Sequence, residues 1–265
     1  MTEFIVNTTY ANLYKAPDFK SEMISQALLW EKLTAFEKRN DFYLVNTTDN
    51  YQGWVSETQI IASGFSVKDW KQVTSVAGAI YERANANGMI IRTTTPGCRI
   101  PVLEERKGWT KTKLPDRAYG WIKSTITKES PCLNRGDFIK LAKRFLGIPY
   151  VWGGKTVYGF DCSGLVQIVH QLAGINIRRD AWMQYEDADF VSDKPDAAQP
   201  GDLYFFSKDQ KRVSHVGIAL GSGLILHARG YVRINSVVSG QKDYDRTLEK
   251  DFVGIKTFLC KLGAN

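Results

Sequence analysis

Cysteine is scarce in this chain, which contains four in 265 residues. Cys98, Cys132, Cys162 and Cys260 form no Cys-x-x-Cys pair and have no spacing typical of zinc ligands. So few cysteines exclude a disulfide-dense scaffold and allow a reducing compartment. We interpret Cys98, Cys132 and Cys260 as structural or surface thiols, whereas Cys162 stands in a context that suggests chemistry.

Long apolar runs and targeting signals are missing as well. No stretch approaches the roughly eighteen apolar residues of a membrane-spanning helix. Residues 1–7 lack the basic region and the apolar core of a signal peptide. We therefore expect a soluble, cytoplasmic protein with no membrane partner. Export, with a signal that the given sequence no longer carries, is the alternative.

Positive charge is in excess but is not concentrated in runs. The formal net charge is +7, yet no run of lysine or arginine exceeds two residues. No nucleic-acid-binding motif is present. A mildly basic, solvated surface is the favoured interpretation, so we expect no nucleic-acid partner. We also expect a monomeric protein.

The N-terminal part of the chain consists of short strand-like segments and turns, with no helical periodicity of useful length. Residues 1–62 are therefore predicted to form a small all-β domain. Its Gly-Trp-Val motif at 53–55 aligns with Gly-Trp-Ile at 120–122, and the same shift along the chain aligns Trp109 with Phe42. We call this correspondence the repeat alignment. An internal repeat of this length predicts a second copy of the same module.

The periodicity changes from residue 134 onwards. Apolar residues at one helical spacing predict a first helix, with Gly147 and Pro149 closing it; they are Phe138, Leu141, Ala142, Phe145 and Leu146. Residues 175–190 are interpreted as a polar connection. Short apolar strands follow at 203–206, 213–220 and 224–228. Helices followed by an antiparallel meander predict an α+β domain.

A glycine-rich turn leads into Cys162 at the predicted start of a second helix. Asp161 is a favourable N-cap residue, and Gly174 is a plausible stop. Unpaired N–H groups and the helix dipole favour a thiolate at this position, as a nucleophile requires. The alternative is that Cys162 is a small buried hydrophobe.

Two of the three histidines lie in neighbouring predicted strands. His215 is expected on a strand face with the small residues Gly217 and Ala219, where the Cys162 helix could pack closely. Cys162 and His215 would then form a thiolate–imidazolium pair, and His227 is available to orient the imidazole of His215. A metal site is the alternative, although no fourth ligand is evident. His170 is interpreted as a surface or core-edge residue.

The two N-terminal modules resemble bacterial SH3-like (SH3b) domains through the strand–turn–strand that ends in Gly-Trp-Val or Gly-Trp-Ile. The resemblance implies two small all-β SH3-like barrels, at 1–62 and 75–130, joined by a connector at 63–74. We interpret Trp54 and Trp121 as packing residues rather than ligand contacts.

Residues 134–262 are similar to the NlpC/P60 family, papain-like cysteine peptidases of bacterial cell walls. The matching motifs are Pro-Tyr-Val-Trp-Gly-Gly at 149–154, Phe-Asp-Cys-Ser-Gly-Leu at 160–165, Pro-Gly-Asp-Leu at 200–203 and Ser-His-Val-Gly-Ile at 214–218, with His227 twelve residues after His215. The resemblance implies an α+β papain-like catalytic domain at 131–265. It makes Cys162 the nucleophile, His215 the general base, His227 the orienting group and Tyr150 a part of the oxyanion site.

The arrangement of two SH3b modules before the peptidase resembles the YkfC-like subgroup, the γ-D-glutamyl-L-diamino acid endopeptidases. This implies hydrolysis of the bond after D-glutamate in murein peptides that begin with a free L-alanine, as in cell-wall peptide recycling, without a cofactor. The substrate-binding positions implied by the resemblance are Glu22, Tyr51, Trp152, Asp161, Ser163 and Asp180. Ala181 stands where relatives often carry serine, which affects the fine specificity.

Two other functions are compatible with these motifs. One is a hydrolase of intact peptidoglycan that is anchored by its SH3b modules. The other is a non-catalytic cell-wall-binding protein with a vestigial peptidase domain, which the complete Cys162, His215 and His227 set argues against.

Overall fold

The computed structural model describes residues 2–62, 64, 67–128 and 134–259. The chain divides into two compact units, Met1–Pro131 and Cys132–Asn265. Cys132 and Cys260, which were expected to be structural or surface thiols, lie outside the described residues, as do three residues of the expected connector. Cys98 is buried, which agrees with a structural thiol. Within the described part of the chain, no helix is both long and apolar enough to cross a membrane.

The described part of the first unit consists of strands, turns and two 3-10 helices, Glu57–Gln59 and Ser124–Ile126. The strands are β1 (Thr2–Val6), β2 (Tyr10–Tyr14), β3 (Met23–Leu28), β4 (Lys32–Arg39), β5 (Phe42–Asn46), β6 (Gln52–Ser56), β7 (Ile60–Ala62), β8 (Trp70–Val73), β9 (Gly78–Tyr81), β10 (Ile90–Thr94), β11 (Arg99–Pro101), β12 (Glu104–Arg106), β13 (Trp109–Lys113), β14 (Tyr119–Lys123) and β15 (Thr127–Lys128). They form three sheets, in the orders β3-β2-β6-β5-β4-β1-β7, β10-β9-β14-β13-β12 and β11-β8-β15.

The strand pairing of this unit repeats along the repeat alignment. The first copy pairs Phe42 with Ser56, Tyr14 with Trp54 and Val6 with Ile60. The second copy pairs Trp109 with Lys123, Tyr81 with Trp121 and Val73 with Thr127. The irregularity near the end of the β2–β3 pairing recurs between β9 and β10. The predicted internal repeat is confirmed at the level of residue pairing, including the alignment of Trp109 with Phe42.

The structure places a strand inside the range that was expected to be a connector. β8 occupies Trp70–Val73, and the repeat alignment makes it the counterpart of β1. Trp70 packs edge-on against Trp30, with ring centroids 5.5 Å apart. A strand of four residues is too short for its alternation to be read from the sequence, and the repeat alignment was the available signal.

Apolar side chains fill the interior of the first copy. The buried cluster comprises Val6, Ala11, Leu13, Ala27, Leu33, Ala35, Val45, Val55 and Ile60. Trp54 and Trp121 are both buried. Each lies beneath a guanidinium group, that of Arg39 at 5.5 Å and that of Arg106 at 4.7 Å. The interpretation of both tryptophans as packing residues is confirmed.

The second unit contains four helices and eight strands among its described residues, together with a 3-10 helix at Pro195–Ala197. In chain order they are α1 (Arg135–Lys143), β16 (Lys155–Thr156), β17 (Gly159–Phe160), α2 (Cys162–Leu172), α3 (Ala181–Asp187), β18 (Asp189–Ser192), β19 (Leu203–Phe206), β20 (His215–Gly221), β21 (Leu224–Arg229), β22 (Tyr231–Ser236), α4 (Arg246–Asp251) and β23 (Phe252–Thr257). The main sheet is antiparallel in the order β18-β23-β19-β20-β21-β22. Helices with an antiparallel sheet make this unit α+β, as predicted.

The predicted first helix is present, with one error at its end. Asn134 caps α1 by accepting a hydrogen bond from the backbone N–H of Asp137 at 2.9 Å. The four apolar residues Phe138, Leu141, Ala142 and Phe145 are buried as predicted. Leu146 was also expected on the buried face but is 43 % exposed, because α1 ends at Lys143 and helical spacing no longer applies.

A third helix lies where a polar connection was expected. α3 occupies Ala181–Asp187 inside the segment 175–190. It is short and polar, so it shows no clear apolar stripe. Its buried anchor is the amide of Gln184, which donates to the carbonyl oxygens of Ser163 at 3.1 Å and Arg178 at 2.9 Å. These contacts tie α3 to the start of α2.

His170 is buried, which corrects the expectation of a surface or core-edge position. Its Nδ1 lies 2.8 Å from the carbonyl oxygen of Val166. Phe138 and Phe258 pack edge-on against the ring, with centroids at 4.9 and 5.6 Å. Burial lowers the pKa of His170 to about 4. Neutral imidazole is therefore the form that the core accommodates.

Candidate active site

Cys162 is the first residue of α2, directly after its N-cap. Asp161 Oδ1 accepts a hydrogen bond from the backbone N–H of Gly164 at 2.7 Å, as an N-cap does. A Cβ built on Gly164 would lie 2.2 Å from the carbonyl oxygen of Gly154. Only glycine at 164 therefore lets the glycine-rich turn approach the helix start this closely. The motif around Cys162 thus serves to fix the backbone position of the cysteine.

Beneath the helix start lies a buried ion pair. Arg179 Nη2 donates to Asp161 Oδ2 at 2.6 Å, and Arg179 Nη1 donates to Asp161 Oδ1 at 3.0 Å. Arg179 Nη1 also donates to Ser163 Oγ at 2.8 Å. The Arg179 side chain is 1 % exposed. The forked Arg179 guanidinium, which we call the Arg179 fork, thus holds Asp161 and Ser163, the residues on either side of Cys162. The sequence did not predict this contact.

The neighbouring Arg178 has a different set of partners. Its guanidinium pairs with Asp187 at 2.6 Å and with Glu186 at 2.9 Å. Asp180 precedes α3 and accepts a hydrogen bond from Trp182 Nε1 at 3.2 Å. Of the two adjacent arginines, Arg179 thus points into the site and Arg178 braces α3.

The thiol of Cys162 is held in its protonated form, contrary to the expectation from the helix start. Burial, followed by the negative charge of Asp161, raises its pKa to about 12. The hydrogen bond from the backbone N–H of Val216 and the positive charge of Arg179 lower the pKa of Cys162, but by less than burial and Asp161 raise it. Since the thiolate is the nucleophile, a nearby base has to remove this proton during attack.

His215 begins β20, immediately before the residue whose backbone hydrogen-bonds to the Cys162 sulfur. His215 Nε2 lies 2.8 Å from His227 Nδ1, and His227 Nε2 lies 3.0 Å from Asn235 Oδ1. His227 and Asn235 are buried. The structure therefore brings together the predicted His215 and His227 and adds Asn235, which the sequence analysis missed.

The hydrogen-bond partners assign the tautomers along this chain. Asn235 Nδ2 donates to the backbone carbonyl of Asp243 at 2.9 Å. This contact turns Oδ1, which only accepts, toward His227. His227 then carries its proton on Nε2 and accepts at Nδ1, so His215 donates from Nε2. The remaining nitrogen of His215, Nδ1, is left without a proton and can act as the base.

The sequence led us to expect that α2 packs on the face of β20 that carries His215, Gly217 and Ala219. This expectation was wrong. A Cβ built on Gly217 would lie 2.6 Å from an Ile225 side-chain carbon and 2.8 Å from His227 Cβ. Ala219 and Ile225 pack in a buried cluster with Leu248 of α4. The space beside the small residues is thus filled by the neighbouring strand and by α4. Gly217 serves the site by leaving room for His227.

Both histidines of the pair are kept neutral. Burial, and then repulsion from His227 whenever that ring is protonated, lowers the pKa of His215 well below its ordinary value. Burial lowers the pKa of His227 to about 4, against the opposing effect of its hydrogen bond to Asn235. The resting site therefore contains a thiol and two neutral imidazoles, and the expected thiolate–imidazolium pair was wrong because burial disfavours both charges. The proton transfer accompanies the attack instead of preceding it.

Tyr150 lies close to the nucleophile. Its backbone N–H donates to Gly230 O at 2.9 Å, and its backbone bridges to Phe160. Burial and the charges of Cys162 and Asp161 raise the pKa of its phenol. The hydroxyl therefore remains protonated and can donate a hydrogen bond. Trp152, on the same turn, is 61 % exposed.

The remaining predicted substrate-binding residues belong to the N-terminal unit. Glu22 is exposed, and its carboxylate lies 3.2 Å from Lys15 Nζ. Tyr51 precedes β6, and its carbonyl accepts a hydrogen bond from the backbone N–H of Thr47 at 2.9 Å. Among the residues that the structure describes, no group of three or more His, Cys, Asp or Glu side chains is arranged to hold a metal ion.

Two family models match this sequence. The model of the NlpC/P60 family matches residues 147–250. The model of the bacterial dipeptidyl-peptidase SH3 domain matches residues 13–60. The first match contains the Cys162, His215, His227 and Asn235 constellation.

Two relatives with assigned names are similar over most of the chain. A γ-D-glutamyl-L-lysine dipeptidyl-peptidase of Bacillus cereus is 28 % identical over 228 residues, which cover 78 % of this chain and 68 % of the relative. Dipeptidyl-peptidase 6 of Lysinibacillus sphaericus is 27 % identical over 254 residues, which cover 88 % of this chain and 91 % of the relative. A solved NlpC/P60 family structure from Bacillus cereus has the same fold, with a TM-score of 0.84 at 22 % identity over 97 % of this chain and 100 % of that chain.

Proposed function

Because this chain carries an NlpC/P60 domain preceded by a bacterial dipeptidyl-peptidase SH3 domain, we propose that it is a cysteine endopeptidase of murein peptides. The bond cleaved is the one between γ-D-glutamate and L-lysine or diaminopimelate, in peptides that begin with a free L-alanine. The observation that carries the proposal is the hydrogen-bonded chain from Asn235 through His227 to His215, which belongs to the strand that contacts the Cys162 sulfur.

The first half of the reaction forms a thioester. His215 Nδ1 takes the proton of the Cys162 thiol as the sulfur attacks the γ-carbonyl carbon of D-glutamate. The backbone N–H of Cys162 and the hydroxyl of Tyr150 donate hydrogen bonds to the resulting oxyanion. The intermediate collapses as the carbon–nitrogen bond breaks. The leaving amine of the diamino acid takes the proton from His215.

The second half hydrolyses the thioester. His215 removes a proton from water, whose oxygen attacks the same carbonyl carbon. The carbon–sulfur bond breaks, the sulfur regains a proton from His215, and L-Ala-D-Glu leaves with a free carboxylate. His227 and Asn235 keep Nδ1 of His215 available for every transfer.

Substrate recognition is the part of the proposal that rests on the resemblance and on the names of the relatives. A free α-ammonium is a compact cation, and carboxylates such as Glu22 and Asp180 suit it through charge-assisted hydrogen bonds. The roles of Tyr51, Trp152, Asp161 and Ser163 in substrate binding stay predictions. The carboxylate of Asp161 is already held by Arg179 and Gly164, which supports a positioning role for it.

We also propose that residues 75–130 form a second SH3-like module. The pairing register that recurs along the repeat alignment supports this. The boundaries 1–62, 63–74, 75–130 and 131–265, the monomeric state and the cytoplasmic location stay predictions.

The function is tested by incubating the purified protein with L-Ala-γ-D-Glu-L-Lys and identifying the products by mass. We expect L-Ala-D-Glu and free lysine from the wild type and no turnover from Cys162→Ala. Cys98→Ala is the matched control, since it removes the other described buried cysteine, and it should retain activity. Turnover by a folded Cys162→Ala protein would contradict the mechanism.

A further inference from the structure

The positive charge of the protein is concentrated in one copy of the internal repeat. Residues 67–128 contain twelve lysines and arginines against five acidic residues, a net charge of +7. The first copy, residues 1–62, contains five against eight. The two copies share one strand pairing, so the fold does not require this difference in charge.

Four of these twelve cations share one face of the sheet formed by β12, β13 and β14: Arg106, Lys111, Lys113 and Lys123. Alternate residues of a strand share a face, and the register pairs Lys111 with Trp121, Lys113 with Tyr119 and Trp109 with Lys123. We call this surface the cationic face; its residues are Glu104, Arg106, Trp109, Lys111, Lys113, Tyr119, Trp121 and Lys123. Glu104 forms an ion pair with Arg106 at 3.4 Å, so the three lysines carry the unbalanced charge of the face.

Basic and aromatic groups are in contact across this face. The Nζ of Lys111 lies 5.4 Å from the ring centroid of Tyr119 and 5.7 Å from that of Trp121. The Nζ of Lys113 lies 5.7 Å from the ring of Tyr119. Tyr119 is 53 % exposed, whereas Trp121 is buried. The face therefore presents one open ring bordered by ammonium groups.

The repeat alignment assigns a residue of the first copy to each residue of the cationic face, so the two can be compared. In the repeat alignment, Arg106 and Trp121 correspond to Arg39 and Trp54, and both copies stack the guanidinium on the indole. That pair is explained by packing. In contrast, Lys111, Lys113, Tyr119 and Lys123 stand where the first copy has Leu44, Asn46, Gln52 and Ser56. The lysines are thus additions to a sheet that forms without them.

We propose that the cationic face binds an anionic polysaccharide whose sugar rings carry carboxylate groups. Ammonium groups on flexible stems suit charges distributed along a chain, whereas arginine forks suit bidentate recognition of single groups. A single-stranded nucleic acid needs several open rings on which successive bases stack. Here only Tyr119 is exposed, whereas Trp109 is half-buried against Tyr81 and Trp121 is buried. This inference does not depend on the proposed peptidase function.

The experiment measures binding of the full chain to polygalacturonate by isothermal titration calorimetry at low and high salt. Dextran serves as the uncharged polysaccharide and a thymidine oligonucleotide as the nucleic acid. The test variant is Lys111→Leu/Lys123→Ser, which installs the residues of the first copy. The matched control is Lys68→Gln/Arg99→Gln, which removes two exposed charges of the same repeat away from the cationic face.

We expect salt-sensitive binding to polygalacturonate, and binding about tenfold weaker in the test variant. The control variant should bind within about twofold of the wild type if the effect comes from the face and not from net charge. Circular dichroism confirms that both variants are folded. Equal weakening in both variants, equal binding to dextran, tighter binding to the oligonucleotide, or no binding to polygalacturonate would each overturn the proposal.

Discussion

His227 Nδ1 lies 2.8 Å from Nε2 of His215, and the other nitrogen of His227 lies 3.0 Å from Asn235 Oδ1. The amide of Asn235 is itself oriented by its hydrogen bond to the carbonyl of Asp243. A single backbone contact therefore determines the tautomer of two histidines in succession. The consequence is a base nitrogen of fixed orientation on β20, the strand that contacts the Cys162 thiol, and this thiol does not ionise on its own.

Replacing Asn235 tests this chain of tautomers. Asn235→Ala removes the acceptor that holds the Nε2 proton of His227, so His215 loses its preferred orientation. We expect kcat to fall roughly tenfold or more, with little change in KM. Steady-state kinetics on the murein tripeptide measure both parameters.

The conservative variant separates positioning from packing. Asn235→Asp keeps an acceptor for His227, and its negative charge favours a protonated imidazole. It should retain more activity than Asn235→Ala and should move the acidic limb of the pH profile to higher pH. If Asn235 only contributed to packing, the two variants would lose the same activity and the acidic limb of their pH profiles would not shift.

The pH dependence of the wild type follows from the neutral histidine pair. His215 accepts a proton only when it is neutral, and its pKa is lowered well below 6.5, with that of His227 lowered to about 4. As pH falls, activity should therefore persist through 6.5 and decline only further toward 4. A profile of kcat/KM against pH measures the macroscopic values for the pair. Half-maximal activity at or above pH 6.5 would contradict this electrostatic account.

The adjacent arginines provide a matched pair for stability. Arg179→Ala leaves the buried carboxylate of Asp161 without its partner and should destabilise the fold by about 3–5 kcal/mol. Arg178→Ala breaks the ion pairs with Glu186 and Asp187. Because the Arg178 side chain is 38 % exposed, this loss should destabilise the fold by less than about 1 kcal/mol. Urea unfolding of both variants measures the difference. Similar losses in the two proteins would show that the Arg179 fork does not hold the helix start.

His170 makes the fold sensitive to acid. Its pKa in the folded protein is about 4, below the roughly 6.5 of an unfolded histidine. The unfolded chain therefore binds more protons between pH 6.5 and 4, and stability falls as pH is lowered through this range. His170→Phe keeps a ring between Phe138 and Phe258 and removes the titrating group.

The free energy of unfolding, measured in urea at several pH values, tests this. The variant should lose less stability than the wild type between pH 6.5 and 4, by up to about 3 kcal/mol. His215 and His227 titrate in both proteins, so the comparison isolates His170. The same pH slope in the two proteins would be inconsistent with a buried neutral His170.

The sequence predicted the elements that carry strong local signals. The spacing of Leu165, Ile168 and Val169 after the Asp161 cap located α2, and the recurring Gly-Trp motif located the repeat. It did not reveal Asn235 or Arg179, because both act through partners distant in the chain. Nor did it reveal that burial would outweigh the helix dipole at Cys162, since burial depends on how α2 packs in the folded unit.

Recognition of the substrate amine depends on a different prediction, the role of Glu22. Glu22→Gln keeps the size of the side chain and removes its charge. If this carboxylate pairs with the α-ammonium of the free tripeptide, KM should rise several-fold while kcat changes little. The N-acetylated peptide, which has no ammonium group, should be unaffected by the substitution. Unchanged kinetics on the free peptide would remove Glu22 from the account.

The most direct test compares L-Ala-γ-D-Glu-L-Lys with its N-acetylated form in one assay, with the products identified by mass. The account predicts cleavage between D-glutamate and lysine in the free peptide, and much slower cleavage of the acetylated one. Equal cleavage of both would contradict an amine-reading site and favour a hydrolase of intact peptidoglycan. Cleavage of neither would contradict the peptidase assignment itself.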